Sequence, residues 1–499
     1  MANHLHGTDK HRTRTRLQIA AVTATSVLCA SVVVALEGSS TARADDVMGI
    51  ARGNANHGFD RVVASNIATM TDEGRKTFRF DTFGDEAFWG DQLQLHAAIE
   101  GAKFGGVGPG ISPRTAIALG LKVDVDALPG AIVGALRSGK ANLDDPATTL
   151  ALLKANAVVG VTGFFKSDGT LKSVGIQCAL CHSTVDNALA FGIGHRLDGW
   201  ANHDLDVGRI IASAPNVTPF VNLLSVVHPG ITPDQVRGVL QSWGPGKFDA
   251  ELNLDGKAFN PEQVTDGVVT GTMVPGATLI PNAFGLAGFN LHTWTGAWGT
   301  VSYWNAFVAT LEMRGVGRFF DPRLDNPAQY PIAAAFGFGN LNATLRPDDD
   351  RVADKLPALH FYQLALPAPT PQAGRDFDAA AAKRGDDLFS GKAGCNNCHV
   401  DPLWTEPGWN LHPASDICID DFEANRAPDH SYKTMTLNGL FVREEALFMN
   451  PANKGGFYHD GRFKTLLDVV DHYDTCKSLG LTAQEKHDLV EYLKSLPES

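Results

Sequence analysis

The chain has 499 residues, with 42 basic against 55 acidic side chains and a net charge of −13. That acidic balance disfavours nucleic acid as a partner and suits a neutral or basic protein instead. An apolar fraction of 44% over this length allows two or three domains, each with its own core.

At the N-terminus, Lys10, Arg12, Arg14 and Arg16 precede an apolar stretch over residues 17–36 and then Ala42-Arg43-Ala44. This is the pattern of a cleavable secretory signal over residues 1–44, with a retained anchor or lipid attachment at Cys29 as the alternatives. Cleavage removes five basic side chains (Lys10, Arg12, Arg14, Arg16, Arg43) and two acidic ones (Asp9, Glu37), so −13 becomes −16. No later apolar run reaches the roughly 18 residues that a membrane span needs. The expectation is a periplasmic protein with no membrane span in the mature chain.

Residues 45–150 carry no chemical motif and read as an N-terminal extension of unknown role. Within them 74–83 and 91–102 have helical character, broken by Gly105-Gly106-Val107-Gly108-Pro109-Gly110. A helical piece at 150–156 leads toward Cys178-Ala-Leu-Cys181-His182. Glycine and proline then punctuate residues 192–331, where 242–249 has turn chemistry and reads as a long inserted loop. The proline-rich stretch 364–372 is the best linker. Beyond it an alanine-rich helix over 376–389 leads into Cys395-Asn-Asn-Cys398-His399. Thr465 with Asp468 and Thr482 with Glu485 have capping-box spacing and open two more helices. In the first of these, Leu466, Leu467, Val469, Val470 and Tyr473 recur at helical spacing.

The two C-x-x-C-H pentapeptides carry the chemistry. Two thiols one helical turn apart reach the two vinyl groups of one porphyrin, and the adjacent imidazole falls under the iron. The chain is therefore expected to bind two covalent c-type haems, one through Cys178, Cys181 and His182 and the other through Cys395, Cys398 and His399. The expected fold is mostly α, with two cytochrome c-like haem domains over 151–365 and 373–499, long loop insertions and the N-terminal extension. His182 and His399 fill one axial position each. The group opposite decides whether an iron relays electrons or binds a small molecule. For the second haem the candidates are His412, Met435, Met449, His459, His472 and Tyr473; for the first they are His195 and His203. His472 and Tyr473 lie about 100 degrees apart on a helix, so both cannot face one iron. Cys418 and Cys476 either pair in an oxidising compartment or remain thiols.

The segment Gly456-Phe-Tyr-His459-Asp-Gly-Arg462, followed by residues 465–473 ending in Tyr473, resembles the closing segment of the bacterial diheme cytochrome c peroxidase and MauG family. Members of that family also carry two C-x-x-C-H motifs in this order. The resemblance implies that Tyr473, as in the MauG branch, is the distal ligand of the second haem, with His459 a hydrogen-bonding residue near it. Tyrosinate ligation lowers a haem potential and favours high oxidation states. It also implies that the first haem is the peroxidatic one. In Leu291-His-Thr-Trp294, Trp294 resembles the tryptophan that conducts electrons between the haems; Glu312, further along, falls at a similar distance to the family's acid. The family's glutamine has no evident counterpart, and the spacing between His182 and His399 is longer than in compact members. Calcium between the domains is a further implication, although Asn453-Lys-Gly-Gly456 departs from the usual loop.

The expected function is an oxidoreductase that passes electrons between two haems and reduces peroxide or O2 at the first, with a small redox protein as donor or acceptor. A diheme electron-transfer cytochrome and a haem oxygenase acting on an organic substrate, as in the related rubber oxygenases, are the alternatives.

Overall fold

The computed structural model describes residues 57–497; the expected signal segment 1–44 lies outside them. The first helix, α1 (His57–Phe80), crosses the division between a unit ending at Thr69 and a second unit that begins at Met70. Everything from Met70 onward described below lies in that second unit, which is mostly helical with short two-stranded sheets.

Two of the expected helices shift. The piece expected over 74–83 is the end of α1, which stops at Phe80. The stretch 91–102 contains a helix only at Leu95–Glu100, preceded by a π-helical turn at Ala87–Gln92. Between them Gln94 takes φ 58°, and Gly101 ends the helix with φ 70°, conformations that interrupt a right-handed helix. Residues 83–100 are nevertheless core: Phe88, Trp89, Leu93 and Leu95 belong to the largest apolar cluster.

The next helix, α2 (Pro146–Lys154), starts on Asp145, whose carboxylate accepts from the Ala147 amide, with Pro146 in the first turn where its missing N–H costs nothing. An antiparallel hairpin follows, β1 (Val161–Phe165) with β2 (Leu171–Ile176), in the register Val161 to Ile176. Leu171 and Val174 point into the core. The hairpin packs so closely on the preceding π-helical turn that a Cβ on Gly90 would lie 1.5 Å from Ser173 Oγ. Asp85 accepts from the Ile176 amide at 3.2 Å, two residues before Cys178. Cys178 then caps the four-residue helix α3 (Ala179–His182).

The stretch expected to be an inserted loop at 242–249 is instead tied down. Trp243 is 3% exposed, and β3 (Lys247–Phe248) pairs antiparallel with β4 (Thr278–Leu279). Turn residues set the local bend, but the tryptophan's large apolar surface draws the segment into the core. Further on come α4 (Val301–Phe307) and α5 (Leu356–Ala365); regular structure then gives way over 366–372.

The C-terminal part is built on α6 (Ala379–Ser390), α7 (Leu466–Lys477) and α8 (Ala483–Lys494). Asp378 caps α6 by accepting from the Ala380 and Ala381 amides. Both capping boxes form, Thr465 with Asp468 and Thr482 with Glu485. Helices α6 and α8 approach closely at Gly385, where a Cβ would sit 2.1 Å from the Asp488 carbonyl oxygen, and Arg384 clamps Asp488 with two bonds of 2.9 and 2.6 Å. Phe389, Trp404 and Tyr492 fill the space beneath. Apolar clusters divide along the chain: the largest ends at Leu341, and a second begins at Leu388. Arg426 joins the two regions. Its fully buried guanidinium donates to Asp249 at 2.7 Å, Asp255 at 2.9 Å and the Gly276 carbonyl at 2.9 Å.

Among the described residues no helix is long and apolar enough to cross a membrane.

Candidate functional site

Both pentapeptides keep their thiols unpaired. Their four cysteines are free and half-buried, whereas Cys418 and Cys476 form a disulfide with Cα atoms 6.0 Å apart. Burial pushes the Cys178 and Cys181 thiols up to about 12. His182 is anchored through its backbone: its amide donates to the Cys178 carbonyl, and its own carbonyl accepts from Gly199 at 2.8 Å. The ring is half-buried, its Nδ1 is buried with no hydrogen-bond partner, and the Pro281 carbonyl lies beside it. Burial lowers the imidazole to about 4, so it stays neutral, the form that binds a metal.

At the second pentapeptide the orientation of the histidine is explicit. Gly394, with φ 61°, turns the chain into the short helix Cys395–Asn397, and the His399 amide donates to the Cys395 carbonyl at 2.9 Å. His399 Nδ1 lies 3.0 Å from the Trp404 carbonyl. A carbonyl can only accept, so Nδ1 carries the proton and Nε2 is left as the metal-binding nitrogen. Burial lowers this imidazole too, to about 4.

Of the candidates for the opposite face, Tyr473 carries a phenol that feels both cysteines, while a ring nitrogen of His412 lies within 4.8 Å of the Cys398 sulfur. Burial raises the Tyr473 phenol to about 12 against a hydrogen bond with Tyr458, and Cys395 and Cys398 add to the rise. His472 is spent elsewhere: Nδ1 lies 2.5 Å from Asp266 and Nε2 2.7 Å from the Ile417 carbonyl. Both contacts, and the Cys418–Cys476 disulfide, hold the helix on which Tyr473 sits. His412 pairs with Glu406 at 2.7 Å. Buried His459 stacks on Tyr432 at 5.2 Å. Met449 belongs to a separate apolar cluster with Phe441, Val442 and Trp200. The Met435 backbone faces His399. Cys398, Glu406 and His412 also form a set of metal-ligating atoms within 4.8 Å of one another; a thioether at Cys398 would take its sulfur out of that set.

For the first pentapeptide, His195 is exposed and pairs with Asp186 at 2.9 Å. His203 is buried close enough to His182 to feel its charge, with Nε2 2.7 Å from Arg443 and 3.2 Å from the Ile280 carbonyl.

Trp294 lies on a bonded bridge between the two histidines. Its indole N–H donates to the Leu279 carbonyl at 2.8 Å, two residues before the Pro281 carbonyl beside His182. Its own carbonyl accepts from the Lys433 amide at 3.0 Å, two residues before Met435, whose backbone faces His399. Glu312 is elsewhere. It follows α4 on a π-helical turn, Val308–Glu312, and its buried carboxylate accepts from Asn253 at 2.9 Å, with the other oxygen unpartnered. Burial raises it to about 8 against the pull of Arg314. Nearby Glu251 and Asp249 add to the rise, and they are themselves lifted to about 7 and about 6 by burial. The structure thus bonds Trp294 to Leu279 and Lys433, on segments that run to either pentapeptide, and places Glu312 in a separate group of buried acids with Glu251 and Asp249.

Several contributors were not foreseen. Trp200 packs on Phe284 at 6.0 Å and Phe448 at 5.7 Å, spanning the two regions; a lone tryptophan among glycines gave a weak signal. Pro281, Trp404, Arg426 and Arg443 act through carbonyls or long-range pairs, for which a linear motif offers none.

No family model matches the chain. A cytochrome-c peroxidase, IdrP1, from Pseudomonas sp. (strain SCT) is 30% identical over 151 residues, taking in 23% of this chain and 40% of that protein. The protein of that name from Denitromonas iodatirespirans is 32% identical over 155 residues, covering 24% and 40%. The methylamine utilization protein MauG of Methylorubrum extorquens is 29% identical over 133 residues, covering 23% and 35%. The chain thus spans 40% or less of the length of these relatives. Among solved structures, a MauG-like protein associated with microbial copper homeostasis superposes with a TM-score of 0.27 at 20% identity, over 46% of this chain and 75% of that one. Hydrazine synthase of Kuenenia stuttgartiensis gives 0.19 at 25% identity, over 28% and 55%. Both scores lie below that of a shared overall fold.

Proposed function

We propose, from the premise that this chain is a relative of the bacterial diheme cytochrome c peroxidase and MauG family, that it is a periplasmic diheme oxidoreductase that reduces peroxide or O2. In this reading a first domain over 151–365 carries one haem c through Cys178, Cys181 and His182. A second over 373–499 carries the other through Cys395, Cys398, His399 and, opposite, Tyr473. The haems supply the redox chemistry; the chain sets ligation, proton supply and the path between them.

The observation that carries the reading is the bridge through Trp294. One indole, hydrogen-bonded toward His182 on one side and backbone-bonded toward His399 on the other, is the covalent and hydrogen-bonded connection that electron relay between two centres needs. A small redox protein is the expected donor or acceptor at the second domain. Glu312 holds a proton at neutral pH because burial disfavours its charged form, which suits a group that delivers a proton to a developing oxyanion. His399 keeps its proton on Nδ1 through Trp404 and so presents a fixed Nε2. Tyr473 sits on a helix restrained by the disulfide and by both nitrogens of His472, an arrangement that holds an anionic ligand in place.

Visible and EPR spectra of the exported protein, with and without peroxide, test this. One low-spin centre and one high-spin centre that reacts with peroxide are expected; Tyr473→Phe should convert the low-spin centre, and Trp294→Phe should slow electron transfer between the two without altering either spectrum. Two low-spin centres inert to peroxide would instead make the protein an electron carrier.

A further inference from the structure

Next to the first pentapeptide, a narrow cavity separates the segment that follows His182 from the C-terminal part. Its walls include Thr184, Trp200, Asn202, His203, Asn282 and Arg443. The Asn202 amide donates to the Cys181 carbonyl at 2.8 Å, so the cavity abuts the motif directly. No aspartate or glutamate lines it.

Donors outnumber acceptors on its walls, where Asn202 Oδ1 is a buried acceptor without a partner. Arg443 Nε donates to the Gly455 carbonyl at 2.5 Å, and Nη1 lies 2.7 Å from His203 Nε2. These are neutral partners, and burial without a carboxylate beside it pulls the guanidinium down to about 9. A guanidinium can only donate. Nε2 also lies 3.2 Å from the Ile280 carbonyl, but the shorter contact to a group that can only donate makes Nε2 the acceptor, and the proton of the neutral ring sits on Nδ1. That Nδ1 is buried in a side chain only 5% exposed and has no partner. The Asn282 side-chain oxygen accepts from the Ala201 amide at 3.2 Å, which leaves its NH2 group as a further donor on the wall. An uncompensated, half-buried cation and an orphaned buried N–H beside it are costly unless an anionic acceptor meets them.

We propose that this cavity is a carboxylate-binding site, formed by Arg443 and His203 with Asn282, and that its occupant is a propionate of the haem held by Cys178, Cys181 and His182. This rests on the reading of that pentapeptide as a haem site. The propionates are the anionic groups of haem, and a carboxylate matches the paired donors of a guanidinium. Arg443, from the C-terminal part, thereby locks the first haem to the second half of the molecule and offsets negative charge near its iron.

The test uses the holoprotein. Removing the cation leaves the propionate uncompensated and stabilises the ferric state, so Arg443→Gln should lower the midpoint potential of one haem and shift its propionate bending band in resonance Raman spectra. Arg443→Lys should restore most of both. Asn282→Asp, which keeps the bond to Ala201 and brings its own negative charge into the cavity, should lower the same potential and serves if Arg443→Gln fails to accumulate. Unchanged potentials and propionate bands in both Arg443→Gln and Asn282→Asp overturn the proposal. A wild-type potential that moves with added acetate, and no longer does so in Arg443→Gln, assigns the site to a free carboxylate and overturns the propionate assignment. Haem-peptide mass spectrometry separates this from the underlying reading: no haem on the first pentapeptide overturns both at once.

Discussion

The two pentapeptides are alike in sequence and built in opposite ways. Around His399 the structure is local: the carbonyl that fixes its tautomer comes from Trp404, five residues on, and the helices beside it begin on their own capping residues. Around His182 it is assembled from afar. Pro281 lies about a hundred residues downstream, Asp85 braces the approaching strand from about ninety residues upstream, and Arg443 reaches His203 from the C-terminal part. A locally built centre tolerates change elsewhere in the molecule, whereas one assembled at long range inherits every distant defect.

The largest expected effect tests the buried acid to which the proposed function assigns proton delivery. Glu312→Gln should lower peroxide-dependent turnover by about 10²–10⁴-fold, the usual contribution of a positioned acid or base, measured at fixed haem content. The same variant has a stability signature. The folded carboxyl is raised from 4.5 to about 8, so the fold holds a proton that the unfolded chain releases. Its stabilisation is full below pH 4.5 and is lost as pH rises through about 8. Denaturation midpoints should therefore fall over that window in the wild type and fall less in Glu312→Gln.

Arg426→Met comes next. It leaves Asp249, Asp255 and Glu423 buried without their cation, a loss of about 3–5 kcal/mol. Chemical denaturation should show this, and the spectrum of the first haem should deteriorate at lower denaturant than that of the second. Equal sensitivity of the two centres would break the contrast drawn between them.

Cys418→Ser should cost about 2–4 kcal/mol and reverse the order, loosening the helix of Tyr473 and so the second haem first. The smallest effect belongs to Thr482→Ala. Loss of its cap to α8 should cost about 1 kcal/mol, seen as a small shift in thermal midpoint with the spectrum of the first haem unchanged.

Legibility in the sequence followed the same divide. Asp376 to Phe389 reads as a helix and is one within a residue or three, since alanine runs and an aspartate cap act over a single turn. The capping boxes at Thr465 and Thr482 form as spaced. Residues 242–246 form the turn that Gly244, Pro245 and Gly246 predict, while the burial of Trp243 and the pairing of Lys247–Phe248 depend on surfaces that come from elsewhere. The engagement of His472 by Asp266 was not readable, since those residues are about two hundred positions apart.

What the amino-acid order determined by itself was the location of both C-x-x-C-H sites, the caps and periodicity of the helices near the second, and the acidic balance, because each depends on atoms within a few bonds or turns. Tertiary structure alone decided that Trp294 bonds to Leu279 and Lys433, that Glu312 sits in a buried acid group, and that Arg443 meets His203. Such contacts arise where separate cores pack together, and the burial that raises a carboxyl or orphans an N–H exists only once those surfaces have closed over it.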